Sequence, residues 1–275
     1  MSQKSSQFVF WLMCAALVGA VFFSIYAYRQ KSGSLGGDPR NAAPMEEYTK
    51  YYTKHEVQMK DGLFGYSLTY HMHAPRKPWP ENLRFPLVLI LHGAPGKSYA
   101  GKYIITASMQ RAFPAFVVVP VLPWQHYWGH PQLAAPDGTQ SSGLRMPDVI
   151  KLLEQVIAEN PVDTSRIYVI GCSDGGTGTF AAARYYPDVF AAAVPIAGFW
   201  RQEDAKLLAR VPMWVMHTEN DSIFPVSLAR NIVRDIHAAG GNVRYTEIPR
   251  MDHNCPYEGF YAPQVWQWMF AQKKK

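Results

Sequence analysis

The chain is poor in cysteine and in charge. Only three cysteines occur in 275 residues. Cys14 lies in an apolar N-terminal run, and Cys172 and Cys255 alone belong to the rest, too few for the disulfide framework of a small secreted scaffold. Charged residues make up 17% of the chain and the formal net charge is +6, yet no long basic stripe exists. Lys273, Lys274 and Lys275 at one end and Lys4, Arg29, Lys31 and Arg40 at the other hold most of the excess. A solvated tail and membrane flanks account for it. The interleaving of basic and aromatic residues that binds single strands is missing, so no nucleic-acid partner is expected. Internal repeats are absent as well, and with 48% hydrophobic content the chain has enough apolar side chains for one large core in a single domain.

What the chain does have is a G-x-S-x-G pentapeptide, Gly171-Cys172-Ser173-Asp174-Gly175, in an informative setting. The β-branched run Ile167 to Ile170 leads into it, and the small-residue stretch Gly176 to Ala183 leads out. Strand, tight turn and helix are what a nucleophile elbow needs, because the turn must throw the serine hydroxyl beyond the carboxyl end of a strand. A hydroxyl at neutral pH is a weak nucleophile and requires a base, a carboxylate to orient the base, and donors for the oxyanion. The apolar run Met213 to Met216 ends in a loop holding Asp221, with Glu219 as the alternative acid. The alternating run Val243 to Ile248 precedes a loop holding His253, the expected base. Upstream, the buried run Pro86 to Leu91 enters a His-Gly turn whose backbone can donate N–H groups. Ala94 and Asp174 are the expected oxyanion donors.

Serine, aspartate and histidine in this order, on alternating strands and helices, resemble the α/β-hydrolase superfamily. More narrowly, Pro161 to Gly171 and Gly240 to Thr246 resemble the feruloyl esterase, polyhydroxybutyrate depolymerase and predicted-peptidase group, near the dienelactone hydrolases. The resemblance covers roughly residues 55 to 273. It implies a mostly parallel eight-stranded sheet with helices on both faces, and a serine esterase that uses no cofactor. Its expected substrates are aryl, short-acyl or polyester esters, small or polymeric. A serine peptidase resembling prolyl oligopeptidases and a non-catalytic binding protein on the same fold are the alternatives. One departure is Asp174, since the residue after the nucleophile in this group is more often uncharged.

From Phe8 to Tyr28 no charged residue occurs, a length sufficient to cross a bilayer as a helix. A cleaved secretory peptide is the competing expectation, with a site such as Val18-Gly19-Ala20. The apolar run continues past it through Val21, Phe22 and Phe23, which favours a retained anchor. The expected organisation is an anchor over 1–29, a Gly-rich, Pro-broken tether over 30–50 and a catalytic domain over 51–275. A single-pass membrane protein with a periplasmic or extracellular domain is expected, or a secreted one if the segment is cleaved.

Within the domain, the alternating runs Lys54 to Lys60 and Phe64 to Met72 flank Asp61-Gly62, a hairpin expected at the sheet edge. Helical spacing is found over Leu144 to Asn160, Val226 to Ala239 and Ala262 to Gln272. The loop from Pro123 to His130 is rich in aromatics. Trp124, Tyr127 and Trp128 from it, with Phe199 and Trp200 after the strand that follows the elbow, are expected to line a substrate cleft. His126 and His130 lack the companion ligands of a metal site, so none is expected. His71 and His73 share one strand face and are expected to pack or face solvent, while His92 and His217 at strand ends are expected to hold loops. Cys172 and Cys255 flank nucleophile and base, and two buried thiols are the preferred expectation over a disulfide.

Overall fold

Five near-continuous apolar strands dictate a sheet buried on both sides. In the computed structural model, which describes residues 51–274 apart from 62–63, 94–98, 123–125, 132–144, 250–251 and 254–261, the strands are β1 (Thr53–Asp61), β2 (Phe64–His73), β3 (Phe85–Leu91), β4 (Phe116–Pro120), β5 (Val162–Cys172), β6 (Ala192–Ile196), β7 (Met213–Thr218) and β8 (Val243–Ile248). They form one eight-stranded sheet in the order β1-β2-β4-β3-β5-β6-β7-β8. The β1-β2 hairpin sits at one edge, and β1-β2 and β2-β4 are the antiparallel pairs. All pairs from β4 to β8 are parallel.

Alternation divides the core. Leu87, Leu89 and Leu91 of β3 and Ile167 and Val169 of β5 face one side, while Val88, Ile90, Tyr168 and Ile170 face the other. Helices α3 (Met146–Glu159), α4 (Asp174–Tyr185), α5 (Ala205–Leu208) and α6 (Val226–Ala238) cover the first side through residues such as Leu152, Phe180, Leu208 and Ile232. Helices α1 (Tyr99–Ile104), α2 (Ala107–Ala112) and α7 (Pro263–Phe270) cover the second through Ile104, Met109 and Trp266. The hairpin, the elbow strand and helix, and the three long helices read from the sequence are all present. Helices α1, α2 and α5, four to six residues each, are too short to show a hydrophobic period in sequence. The expected anchor and tether lie outside the described residues. Among those described, no helix is long and apolar enough to cross a membrane.

Parallel strands order their carboxyl ends on one edge, and loops from that edge carry the side chains that meet. Ser173 follows β5, Asp221 follows β7 and His253 follows β8. The fold therefore brings together residues up to 80 positions apart.

Candidate active site

The elbow begins with close backbone approach. A Cβ on Gly171 would lie 2.3 Å from the Gly175 carbonyl oxygen, and one on Gly175 would lie 2.0 Å from that of Leu91. Only glycine permits the crossing of strand and helix at this turn. Between them Ser173 takes φ 58, a conformation that costs a non-glycine residue on the order of 1–3 kcal/mol and is maintained by its surroundings. Its N–H donates to Ile196 O at 2.9 Å, and its carbonyl accepts from Thr177 N at 3.0 Å. The hydroxyl is thereby presented at the amino end of α4.

Ser173 Oγ lies 2.8 Å from His253 Nε2. On the other side of the ring, Nδ1 lies 2.9 and 2.8 Å from the two oxygens of Asp221. A carboxylate accepts, so Nδ1 carries the proton and Nε2 turns its lone pair toward the serine. Asp221 Oδ1 also accepts from the N–H groups of Ile223 at 2.9 Å and Phe224 at 2.7 Å. Burial alone would raise the Asp221 carboxyl. Hydrogen bonds from His217, His253 and Phe224 N–H outweigh it and hold the group well below the usual carboxylate range. Glu219, the alternative acid, is exposed and has no bond to His253 among the described residues. His253 is further fixed from outside, because Asp252 Oδ1 accepts from both His253 N and Ser222 N.

The turn after β3 approaches Ser173 so closely that a Cβ on Gly93 would meet Cys172 O at 2.9 Å and Ser173 Cβ at 3.1 Å. His92 locks this turn. Its Nε2 accepts from Leu122 N at 2.9 Å, which leaves Nδ1 to donate to Gly93 O at 2.8 Å. Ala94 lies outside the described residues. Asp174 opens α4, where the first N–H groups point out of the helix toward the serine end of the turn.

The aromatic residues divide differently from expectation. Trp124 lies outside the described residues. Trp128 is fully buried, stacks edge-on to His92 at 5.0 Å and donates from Nε1 to His92 O at 2.8 Å. Trp200 is buried as well, with Nε1 donating to Asp204 Oδ2 at 2.9 Å. Side chains without accessible surface cannot line an open cleft, so these two tryptophans are core. Phe199 is 7% exposed and Tyr127 is half-buried. They belong to a row of rings, Tyr127, His130, Phe199, Phe224 and His253, with successive centroids 5.9, 5.5, 4.7 and 5.2 Å apart. Phe224 and His130 complete the row, and the sequence signals only Phe224, through its position three residues after Asp221. Cys172 is disulfide-bonded, which corrects the expectation of two buried thiols; its partner lies outside the described residues. Among the described residues no group of His, Cys, Asp or Glu could hold a metal ion.

Residues 134–271, just over half of the chain, match the family described as PET hydrolase-like. The chain belongs to this family, within the α/β-hydrolase superfamily. It is 31% identical over 119 residues to poly(3-hydroxyalkanoate) depolymerase C of Paucimonas lemoignei, a match covering 41% of this chain and 28% of that protein. An uncharacterized secreted protein of Arthroderma benhamiae is 26% identical over 63% of this chain and 22% of its own length. Among solved structures, a thermostable esterase superposes with TM-score 0.71 and 26% identity over 82% of this chain and 64% of that one. A feruloyl esterase module from Clostridium thermocellum superposes with TM-score 0.60 at 12% identity over 88% and 96%, a likeness of fold. The chain thus spans less than two thirds of both curated relatives and of the esterase.

Proposed function

We propose that the protein is a serine carboxylesterase that cleaves aryl, short-acyl or polyester-type esters through Ser173, His253 and Asp221. The observation that carries this reading is the unbroken chain from Ser173 Oγ through the His253 ring to the Asp221 carboxylate. His253 Nε2 takes the hydroxyl proton as Oγ attacks the ester carbonyl carbon. The N–H groups of Asp174 and Ala94 receive the oxyanion, and the imidazolium is stabilised by ionised Asp221. Collapse breaks the ester C–O bond and returns the proton to the leaving alcohol. Water, activated by the same nitrogen, then cleaves the acyl-enzyme, and the acid leaves with Ser173 restored. For the Asp174 carboxylate, placement at a helix amino end is favoured by the helix dipole, and the backbone N–H rather than the side chain serves the oxyanion.

Membership of the PET hydrolase-like family and similarity to a polyhydroxyalkanoate depolymerase support a polyester among the substrates. The uncharged run over 8–28 supports export, with the domain tethered by an N-terminal helix outside the cytoplasm. Acylaminoacyl peptidases share the fold at 15% identity, which makes a peptide substrate the reading to exclude. The experiment is a panel of p-nitrophenyl esters, a chromogenic peptide and a polyhydroxybutyrate film, with fluorophosphonate labelling of the parent and of Ser173→Ala. Ester turnover and labelling in the parent alone are expected, with a loss of about 10⁶-fold in the alanine variant. Undiminished turnover in Ser173→Ala, or peptide cleavage without ester cleavage, overturns the reading.

A further inference from the structure

The acid of the candidate triad is held between two histidines. His217, the fifth residue of β7, is completely buried. Its Nε2 lies 2.8 Å from Phe224 O and 3.2 Å from Asp221 Oδ2. Both partners only accept, so Nε2 carries the proton and shares it between them. Nδ1 has no hydrogen-bond partner among the described residues, which leaves the ring facing the acid loop through Nε2 alone. Phe224, whose carbonyl His217 holds, returns its own N–H to Asp221 Oδ1 at 2.7 Å and sets its ring edge-on to His253 at 5.2 Å.

The two carboxylate oxygens are not equally served. Oδ1 accepts from Ile223 N, Phe224 N and His253 Nδ1. Oδ2, the oxygen nearer His253 Nδ1, has His217 as its one other donor among the described residues. We infer that His217 is a positioning residue for the hydrolysis, a fourth member of the hydrogen-bond chain that fixes Asp221 Oδ2 and Phe224 against His253. The inference rests on the reading of Ser173, His253 and Asp221 as the catalytic chain.

Removing the donor has two consequences. The carboxylate loses orientation, which lowers kcat while the ester-binding surface, and hence KM, is untouched. The carboxylate also loses a competing N–H, so it holds the His253 imidazolium proton more firmly, and the acid limb of the kcat/KM profile moves to higher pH. The other ionisable groups around this pair are Asp252, occupied by Ser222 N and His253 N, and Glu247 on β8, paired in register with His217. Glu247 accepts from Arg230 Nε at 2.9 Å and Tyr245 OH at 2.8 Å, so those two donors are engaged, and the carboxylates of Asp252 and Glu247, which only accept, cannot supply the lost donor.

The test compares His217→Leu, which removes the donor, with His217→Gln, whose amide N–H reaches a comparable position, using one p-nitrophenyl ester. Leucine is expected to lower kcat about a hundredfold, the scale for a displaced catalytic group, with KM unchanged and the acid limb raised. Glutamine is expected to restore most of kcat and the parental limb. Melting temperatures of both are measured alongside. Equal kcat losses that follow the melting temperatures, with an unmoved limb in both, overturn the inference and leave His217 a packing residue. Ser173→Ala and Asp221→Asn run in parallel. If those remain active the triad reading itself fails, whereas if they are inactive and His217→Leu is not impaired, only this inference fails.

Discussion

The turn around Ser173 and the turn around Asp221 are built by opposite means. Around Ser173 the geometry comes from exclusion: Gly171, Gly175 and Gly176 each leave a space that no side chain could enter, with backbone oxygens 2.0 to 2.3 Å from where a Cβ would stand. Around Asp221 it comes from directed bonds, with donors at both oxygens and little dependence on residue size. A turn made by exclusion leaves a short local signature in sequence. A turn made by hydrogen bonds draws on partners four, three and thirty-two positions away and leaves almost none.

The largest expected effect breaks the first kind of turn. Gly175→Ala sets a methyl against Leu91 O, Leu91 C and His92 O, all backbone and all within 2.9 Å, so β3 and α4 must separate. Loss of soluble folded protein is expected, read by circular dichroism and expression yield. A variant that folds and melts like the parent would show that the elbow tolerates relaxation after all. Asp221→Asn tests the second kind of turn. It keeps the shape and changes the donor pattern, so the fold should survive while kcat falls by about 10³ to 10⁴, the scale for a wrong histidine tautomer. Should Glu219→Gln be the more damaging change, the acid has been assigned to the wrong residue.

The same contrast explains what could be read from the sequence. The parallel strands and the loops that carry Ser173, Asp221 and His253 were legible as apolar or alternating runs ending in turns, and parallel strands place successive loops on one edge. His217 also stands at such a strand end and was expected to hold a loop, but its grip on the acid depends on Phe224 and Asp221 folding back over it. The state of Cys172 escaped sequence reading because proximity to the base does not distinguish a thiol from a disulfide. Trp128 was misplaced for a related reason. It sits in a loop, yet it turns inward, and the signal lay in the helix rather than the loop. A Cβ on Gly178 would stand 2.4 Å from Trp128 Cβ, and one on Gly129 2.2 Å from Ala181 Cβ. The run of glycine and alanine through α4 is the imprint of the segment packed on it.

That packing makes Trp128→Ala the next effect in size. A fully buried tryptophan truncated to alanine costs about 3–5 kcal/mol, and here it also removes the hydrogen bond to the His92 carbonyl. A lowered melting temperature with equal fractional loss of kcat/KM on acetate and feruloyl-type esters is expected. A selective loss on the larger ester, at parental stability, would return the residue to the substrate surface. Tyr127→Ala sharpens the comparison, since Tyr127 keeps solvent access and should alter large-ester turnover more than stability.

The smallest effect concerns a carboxylate held, like Asp221, by donors. Asp204 accepts from Trp200 Nε1 at 2.9 Å, Arg201 Nε at 2.7 Å and Arg184 Nε at 3.3 Å. Burial alone would raise its carboxyl, but the hydrogen bonds from Arg201 and Trp200 and the two guanidinium charges outweigh burial and lower it. A folded value below the unfolded one, about 3.9, means the contribution is complete above that pH and is lost as pH falls through the folded value. Asp204→Asn removes the ion pairs while keeping an acceptor for Trp200. Both guanidinium groups reach solvent in part, so the cost at pH 7 is discounted to about 1–2 kcal/mol. Urea midpoints measured at pH 7 and pH 3 decide it: the gap between parent and Asp204→Asn should narrow at the lower pH, where protonation has already weakened the parent. A gap that stays constant would show that the variant loses shape rather than charge, and Asp204 would then be a packing partner of Trp200 instead of an anion held by its donors.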